Sequence, residues 1–196
     1  MQRTDTRKLT TLAIFTALII VLQLVSALLT RFVPVIPVSI TLTLVPIVVG
    51  AALYGVGAGA YLGGVMGVVV LLFCIIDLDI GGGILWNANP LLCAVVCLVK
   101  GIAAGAVAAL VYRALCEKNA TVAAVVAGIC APVTNTGLFI IGMLLFFQET
   151  LNAWAGGTDV VTYIILGLAG INFLLELCVN LVLAPIIVRI INARQK

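Results

Sequence analysis

Two charged side chains lie deep inside long apolar stretches of this chain. Lys100 stands midway between Asn87 and Arg113, and Glu176 stands well before Arg189. A charge at the centre of a membrane-spanning helix costs about 2.5 to 3.5 kcal/mol on insertion scales. If these stretches cross a membrane, each charge is therefore expected to face protein, water or a ligand rather than lipid.

Asparagine side chains accompany these charges. Asn172, Glu176 and Asn180 recur every four residues, so they form one slowly rotating polar stripe on a helix. Asn135 lies in another apolar stretch. Together with Lys100, these groups predict the floor of a small-molecule pocket, because such pockets combine apolar walls with a few convergent polar groups.

A second interpretation of the same residues is structural. Lys100 and Glu176 would form a buried ion pair that fixes the helix register, while the asparagines hydrogen-bond between helices. The sequence leaves both interpretations open.

Several kinds of chemistry are absent. The chain has no histidine and no G-x-x-x-x-G-K-[ST] loop or nucleophile elbow, so it is not expected to be an enzyme or to hydrolyse ATP itself. We expect no cofactor and no metal. The cysteines are scattered through apolar stretches, and although Cys93 and Cys97 share a helix face, a small apolar packing role is preferred for them.

Composition identifies the class of protein. Hydrophobic residues make up 64% of the 196 residues and charged residues only 9%, with a mean hydropathy of +1.36. Soluble domains carry about a quarter charged residues, so this is an integral membrane protein. At about 20 residues per span, we predict an all-α, compact six-helix transmembrane bundle in which residues 1–196 form a single domain.

The spans are separated by short connections. They are predicted at 9–29, 38–54, 57–76, 88–113, 120–147 and 160–188. Most lysines and arginines then fall on one side, which by the positive-inside rule places both termini in the cytoplasm. Outer loops would roof the solute pocket with Phe32, Trp86, Asn87 and Trp154, although tryptophans at helix ends also anchor helices at the membrane interface.

Small residues mark the predicted helix contacts. The third span carries Gly59, Gly63 and Gly67, and the fourth carries Gly101 and Gly105, which lets helix backbones approach closely. The first three spans otherwise look almost purely apolar, so an asymmetric bundle with a polar second half is predicted. The run 81–83 of three glycines is interpreted as a mobile outer loop or a plain turn.

Two prolines indicate local helix structure, one at a helix start and one inside a span. Asn89-Pro90 predicts an N-cap followed by proline at the first helical position. Pro132 lies inside the fifth span, where it removes a hydrogen bond and crowds the carbonyl of Gly128.

A further pair of small residues lies near the start of the chain. Arg3, Arg7 and Lys8 lead directly into a membrane-length helix that carries Ala13 and Ala17. Alanines at this spacing form a flat groove for another helix. We therefore predict a docking surface, with packing inside the subunit as the alternative.

These features resemble the substrate-binding S components of energy-coupling factor (ECF) vitamin transporters. The resemblance covers nearly the whole chain and is carried by these pieces in order: Ala13-xxx-Ala17, the run Val45 to Gly55, Asn89-Pro90, Pro132 to Gly137, and the stripe that ends in Ala184-Pro185. It implies a subunit that captures a vitamin or related solute from outside a bacterial or archaeal cell membrane.

The resemblance also implies partners. A T component and two ATPase subunits would supply energy, and Ala13 and Ala17 would contact the T component. The substrate-binding residues are expected to be Phe32, Trp86, Asn87, Lys100, Asn135, Trp154, Asn172 and Glu176. Pantothenate and riboflavin both fit these groups. A self-sufficient secondary carrier or small channel, and a scaffold or membrane enzyme without a transported solute, are the alternative functions.

Overall fold

A computed structural model describes residues 2–32 and 43–170 and, beyond them, residues 173, 174, 176–178, 180 and 182. Within these ranges the chain is helical and contains no strand. The helices are α1 (Gln2–Phe32), α2 (Leu44–Tyr54), α3 (Val56–Ile75), α4 (Ile80–Ala88), α5 (Pro90–Leu115), α6 (Ala120–Phe146), α7 (Gln148–Ala155) and α8 (Val160–Tyr163), which continues as a π-helix over Ile164–Gly170.

Four helices are long and apolar enough to cross a membrane. These are Thr6–Leu29 within α1, and the whole of α3, α5 and α6. They agree with the first, third, fourth and fifth predicted spans. With 11 residues, α2 is about 16 Å long against a hydrocarbon core of about 30 Å. The predicted start of the second span at 38 and part of the sixth span, including its end at 183–188, lie outside the described residues, so the six-helix count stays a prediction.

Helices α3 and α5 form the centre of the bundle through their glycines. A methyl carbon at Gly63 would lie 2.7 Å from the carbonyl carbon of Gly101, and one at Gly59 would lie 3.0 Å from that of Gly105. Carbon atoms prefer about 3.5–4.0 Å, so neither position has room for a side chain. The order of these pairs makes the two helices antiparallel. The predicted packing role of the glycines is confirmed.

Helix α6 packs against a neighbouring face of α5, also in antiparallel direction. A methyl carbon at Gly142 would lie 2.7 Å from a methyl of Val96, and Phe139 contacts Lys100. As predicted, Pro132 lies inside α6. Helices α1 and α2 pack against α3, and α2 also contacts α5 and α6. Lys100 on α5 and Asn135 on α6 therefore belong to neighbouring helices.

The connection between α3 and α5 differs from the prediction. The three glycines at 81–83 belong to α4, so the expected loop or plain turn is wrong. Asp79 caps this helix, since its Oδ1 accepts a hydrogen bond from the Gly82 N–H at 2.9 Å. Because glycine has no side chain, the first turn of α4 can lie close to the end of α3. A methyl group at Gly82 would overlap the sulfur of Cys74.

The predicted helix start at Asn89-Pro90 is confirmed. The Asn89 side chain accepts a hydrogen bond from the Leu92 N–H at 3.1 Å, and Pro90 is the first residue of α5. Proline fits there because the first helical N–H has no partner inside the helix.

The first half of the bundle contains a buried pair of polar side chains. Gln23 on α1 is 2% exposed and Thr43, just before α2, is fully buried. The Thr43 hydroxyl donates a hydrogen bond to Oε1 of Gln23 at 3.3 Å. This pairing stabilises two polar groups in a part of the bundle that was predicted to be almost purely apolar.

Candidate functional site

Lys100 lies at the contact between α5 and α6. Its side chain is half-buried, and its Nζ is 4.9 Å from the centre of the Phe139 ring. A cation at this distance from an aromatic face is attracted to the ring. The ring contributes no lone pair, so the N–H donors of the ammonium group can still bind an acceptor.

Asn135 lies on α6, one helical turn before Phe139 and therefore on the same face. Its side chain is 5% exposed, and its Oδ1 accepts no hydrogen bond from any residue that the structure describes. A buried acceptor without a partner costs about 1–3 kcal/mol. A hydrogen-bond donor on a ligand would recover this free energy.

Lys100 and Asn135 lie at a similar depth in the bundle. Lys100 follows the start of α5 at Pro90, and Asn135 precedes the end of α6 at Phe146. At 1.5 Å per residue, both lie about 15 Å below the same end of the bundle. This is half the thickness of a hydrocarbon core.

Two polar residues of the last predicted span are also buried. Glu176 is 1% exposed and Asn180 is 2% exposed, and the Asn180 Nδ2 donates to the Glu176 carbonyl at 3.0 Å. The Oδ1 of Asn180 has no partner within the described part of the chain. The expectation that this stripe avoids lipid therefore agrees with the structure at both positions, while Asn172 lies outside the described residues.

Asn180 is packed against α6. A methyl group at Gly128 would lie 3.9 Å from its Cβ. Gly128 precedes Asn135 by two helical turns, which places both on the same side of α6. The polar groups of the last span and of α6 thus face a common interior, whereas the predicted ion pair between Lys100 and Glu176 stays a prediction.

The predicted roof residues lie at the same end of the bundle as the start of α5. Trp86 on α4 and Trp154 on α7 are half-buried against the hydrophobic core, and these two helices contact each other. Asn87 is exposed. Phe32 is the last residue of α1. Both indoles therefore lie at the end of the bundle where α4 and α7 meet, and their predicted role in covering a solute pocket stays a prediction.

Ala13 and Ala17 are exposed on α1. Ile20 and Leu24 continue the same side of the helix and are 44% and 42% exposed. The buried residues of α1, such as Ile19 and Gln23, turn towards α2 and α3. Within the described part of the chain neither alanine is buried by another helix, and the docking surface stays a prediction.

Comparison with known families adds a decisive observation. The family model described as "ECF transporter, substrate-specific component" matches residues 7–188. The chain belongs to this family. The S component is accordingly a membrane-embedded, substrate-specific transport subunit and not an enzyme. Searches of curated proteins and of solved structures found no match.

Sequence reasoning missed some contributors to the site. Phe139 was not among the predicted residues, although its spacing of four from Asn135 places it on the same helix face. Gly128 was noted only for its carbonyl group. Its contact with Asn180 joins residues far apart in the chain, so no local pattern could have revealed it.

Proposed function

We propose that this S component captures a vitamin or related small solute from outside a bacterial or archaeal cell and delivers it with a T component and two ATPase subunits. Residues 1–196 would form one domain of six transmembrane helices with cytoplasmic termini. The proposal combines the family with two features of the subunit: a buried polar interior and an exposed alanine groove.

The observation that carries the proposal is the buried carbonyl oxygen of Asn135. It lacks a described partner and lies one helical turn from the ring that holds Lys100. A site that only stabilised the fold would be expected to satisfy such an acceptor, since nearly all buried polar groups in proteins are hydrogen-bonded. A bound solute with a donor group supplies the missing partner.

The charges and rings suggest which solutes fit. The Lys100 ammonium, held over an aromatic face, favours a carboxylate such as that of pantothenate. Trp86, Trp154 and the asparagine amides would instead suit a flat, uncharged ring system such as that of riboflavin. Phe32, Asn87, Asn172 and Glu176 complete the proposed binding residues. Mass spectrometry of the molecule retained after gentle purification distinguishes these solutes directly.

The partner surface is proposed on α1. A tryptophan at Ala17 would fill the groove and prevent close approach of another helix. We expect Ala17→Trp, and likewise Ala13→Trp, to lose co-purification with the T component and the ATPases while the isolated subunit still binds solute. Leu18→Trp is the matched control, because Leu18 is also exposed but is turned by about 100° around the helix.

Transport assays test the proposal against its alternative. In liposomes, uptake should require the T component and ATP hydrolysis. Uptake by the S component alone, with dependence on Glu176, would instead indicate a self-sufficient carrier. If Ala13→Trp and Ala17→Trp both still formed the complex, the partner surface would lie in another part of the chain.

A further inference from the structure

Three cysteine side chains converge near the end of the bundle that carries α4. Cys74 belongs to the last turn of α3, and Cys93 and Cys97 lie in the first two turns of α5. Their exposed fractions are 1%, 1% and 6%. All three sulfur atoms lie within 4.8 Å of one another.

The arrangement matches the donor set of a thiophilic metal ion. A zinc–sulfur bond is about 2.3 Å long, so three thiolates around one ion lie about 4 Å apart. The cluster needs to contract by less than about 1 Å to reach this geometry. Open zinc sites take three protein ligands and a water molecule, so a fourth side chain is not required.

The start of α4 shapes one side of the cluster. Gly82 lies against the sulfur of Cys74 and leaves no room for a methyl group. The Asp79 carboxylate holds this turn in place by accepting the hydrogen bond from the Gly82 N–H. The thiols are therefore enclosed by three helices rather than by lipid.

Charge favours a divalent ion. Three thiolates carry three negative charges, of which a divalent ion neutralises two. Lys100 follows Cys97 by three residues and so lies on the same side of α5, where its ammonium group offsets the third. With the Asp79 carboxylate beside the cluster, a monovalent ion would leave one more negative charge in the bundle interior than a divalent ion, and such a charge is costly to bury.

We propose that Cys74, Cys93 and Cys97 bind a divalent thiophilic metal ion of the zinc type. The ion would link the end of α3 to the start of α5 beneath α4. This proposal rests on the geometry and the charge of the cysteine cluster and does not require a particular solute.

Cadmium is a suitable probe because its thiolate complexes absorb in the ultraviolet. The full-length protein, purified in detergent and freed of metal with a chelator, is titrated with Cd²⁺. We expect absorbance to saturate at one ion per chain and to be reversed by excess Zn²⁺. Wild-type protein without this absorbance would overturn the proposal, whatever the variants show.

Single cysteine variants locate the ion. Cys74→Ser, Cys93→Ser and Cys97→Ser should each weaken Cd²⁺ binding by more than about tenfold. Cys130→Ser and Cys178→Ser are the controls, because these thiols are outside the cluster. Wild-type affinity in the three cluster variants, or lost binding in a control, would contradict the assignment.

A stability measurement gives a second readout. Zn²⁺ should raise the unfolding temperature of the wild type, because a ligand that binds only the folded state stabilises it. The same addition should leave the cluster variants unchanged. If Zn²⁺ raised the unfolding temperature of the wild type and of the cluster variants equally, the site would be refuted. This holds even if the variants were less stable than the wild type in the absence of metal.

Discussion

Replacement of Gly63 by alanine tests the central contact of the bundle. The added methyl carbon would lie 2.7 Å from the Gly101 carbonyl carbon and 3.3 Å from the Ile102 Cα. These are backbone atoms, which cannot rotate away, so α3 and α5 must move apart. Overpacking of this kind costs about 1–3 kcal/mol.

Gly57→Ala on the same helix is the matched control. Gly57 is exposed, and a methyl carbon there would meet no atom within 4 Å. Both substitutions gain about 1 kcal/mol of helix propensity, so their difference isolates the clash. For a chain of this length, 1 kcal/mol corresponds to about 2–4 °C in unfolding temperature. Gly63→Ala should therefore unfold about 2–12 °C below Gly57→Ala.

Thermal unfolding in one detergent, followed by circular dichroism, measures this difference. Gly64→Ala adds an intermediate case, because its methyl carbon would lie 3.4 Å from the flexible Ile102 side chain. Gly64→Ala should fall between the other two variants. Equal unfolding temperatures for Gly63→Ala and Gly57→Ala would show that α3 and α5 are not in backbone contact.

Three further predictions concern polar groups. Asn89→Ala removes the cap of α5 and should lower the free energy of unfolding by about 0.5–2 kcal/mol; an unchanged value in chemical unfolding would contradict the cap. Gln23→Leu should lower the free energy of unfolding by about 1–3 kcal/mol, because it leaves the buried Thr43 hydroxyl without its hydrogen-bond acceptor. Adding Thr43→Val should restore most of that free energy. Equal stability of the single and double variants would refute the pairing. If Lys100 and Glu176 bind solute rather than each other, the double variant Lys100→Met, Glu176→Gln should lose solute binding in a titration; wild-type affinity and stability in that variant would favour the ion pair.

Local patterns predicted much of the fold. The spacing of Gly59, Gly63 and Gly67 indicated a close helix contact, and it is found against α5. Asn89-Pro90 marked the helix start because capping depends only on neighbouring residues. The glycine run at 81–83 misled the prediction, since glycine favours turns in general but here permits close packing of a helix capped by Asp79.

Contacts between distant parts of the chain could not be predicted. Cys93 and Cys97 were recognised as sharing a face, but only the packing of α3 on α5 brings Cys74 beside them. The Phe139 ring under Lys100 and the contact of Asn180 with Gly128 depend in the same way on how α6 is placed. Helical periodicity says which residues share a face, but not which face of another helix they meet.

Solute binding to the isolated S component tests the central claim most directly. The solute identified by mass spectrometry is titrated into wild type, Asn135→Leu and Asn152→Leu, the last being an exposed amide on α7. Loss of one neutral hydrogen bond, about 0.5–1.5 kcal/mol, should weaken binding to Asn135→Leu by about two- to thirteenfold. Asn152→Leu should bind like wild type. Equal affinity in all three proteins would contradict a pocket built on the inner face of α6.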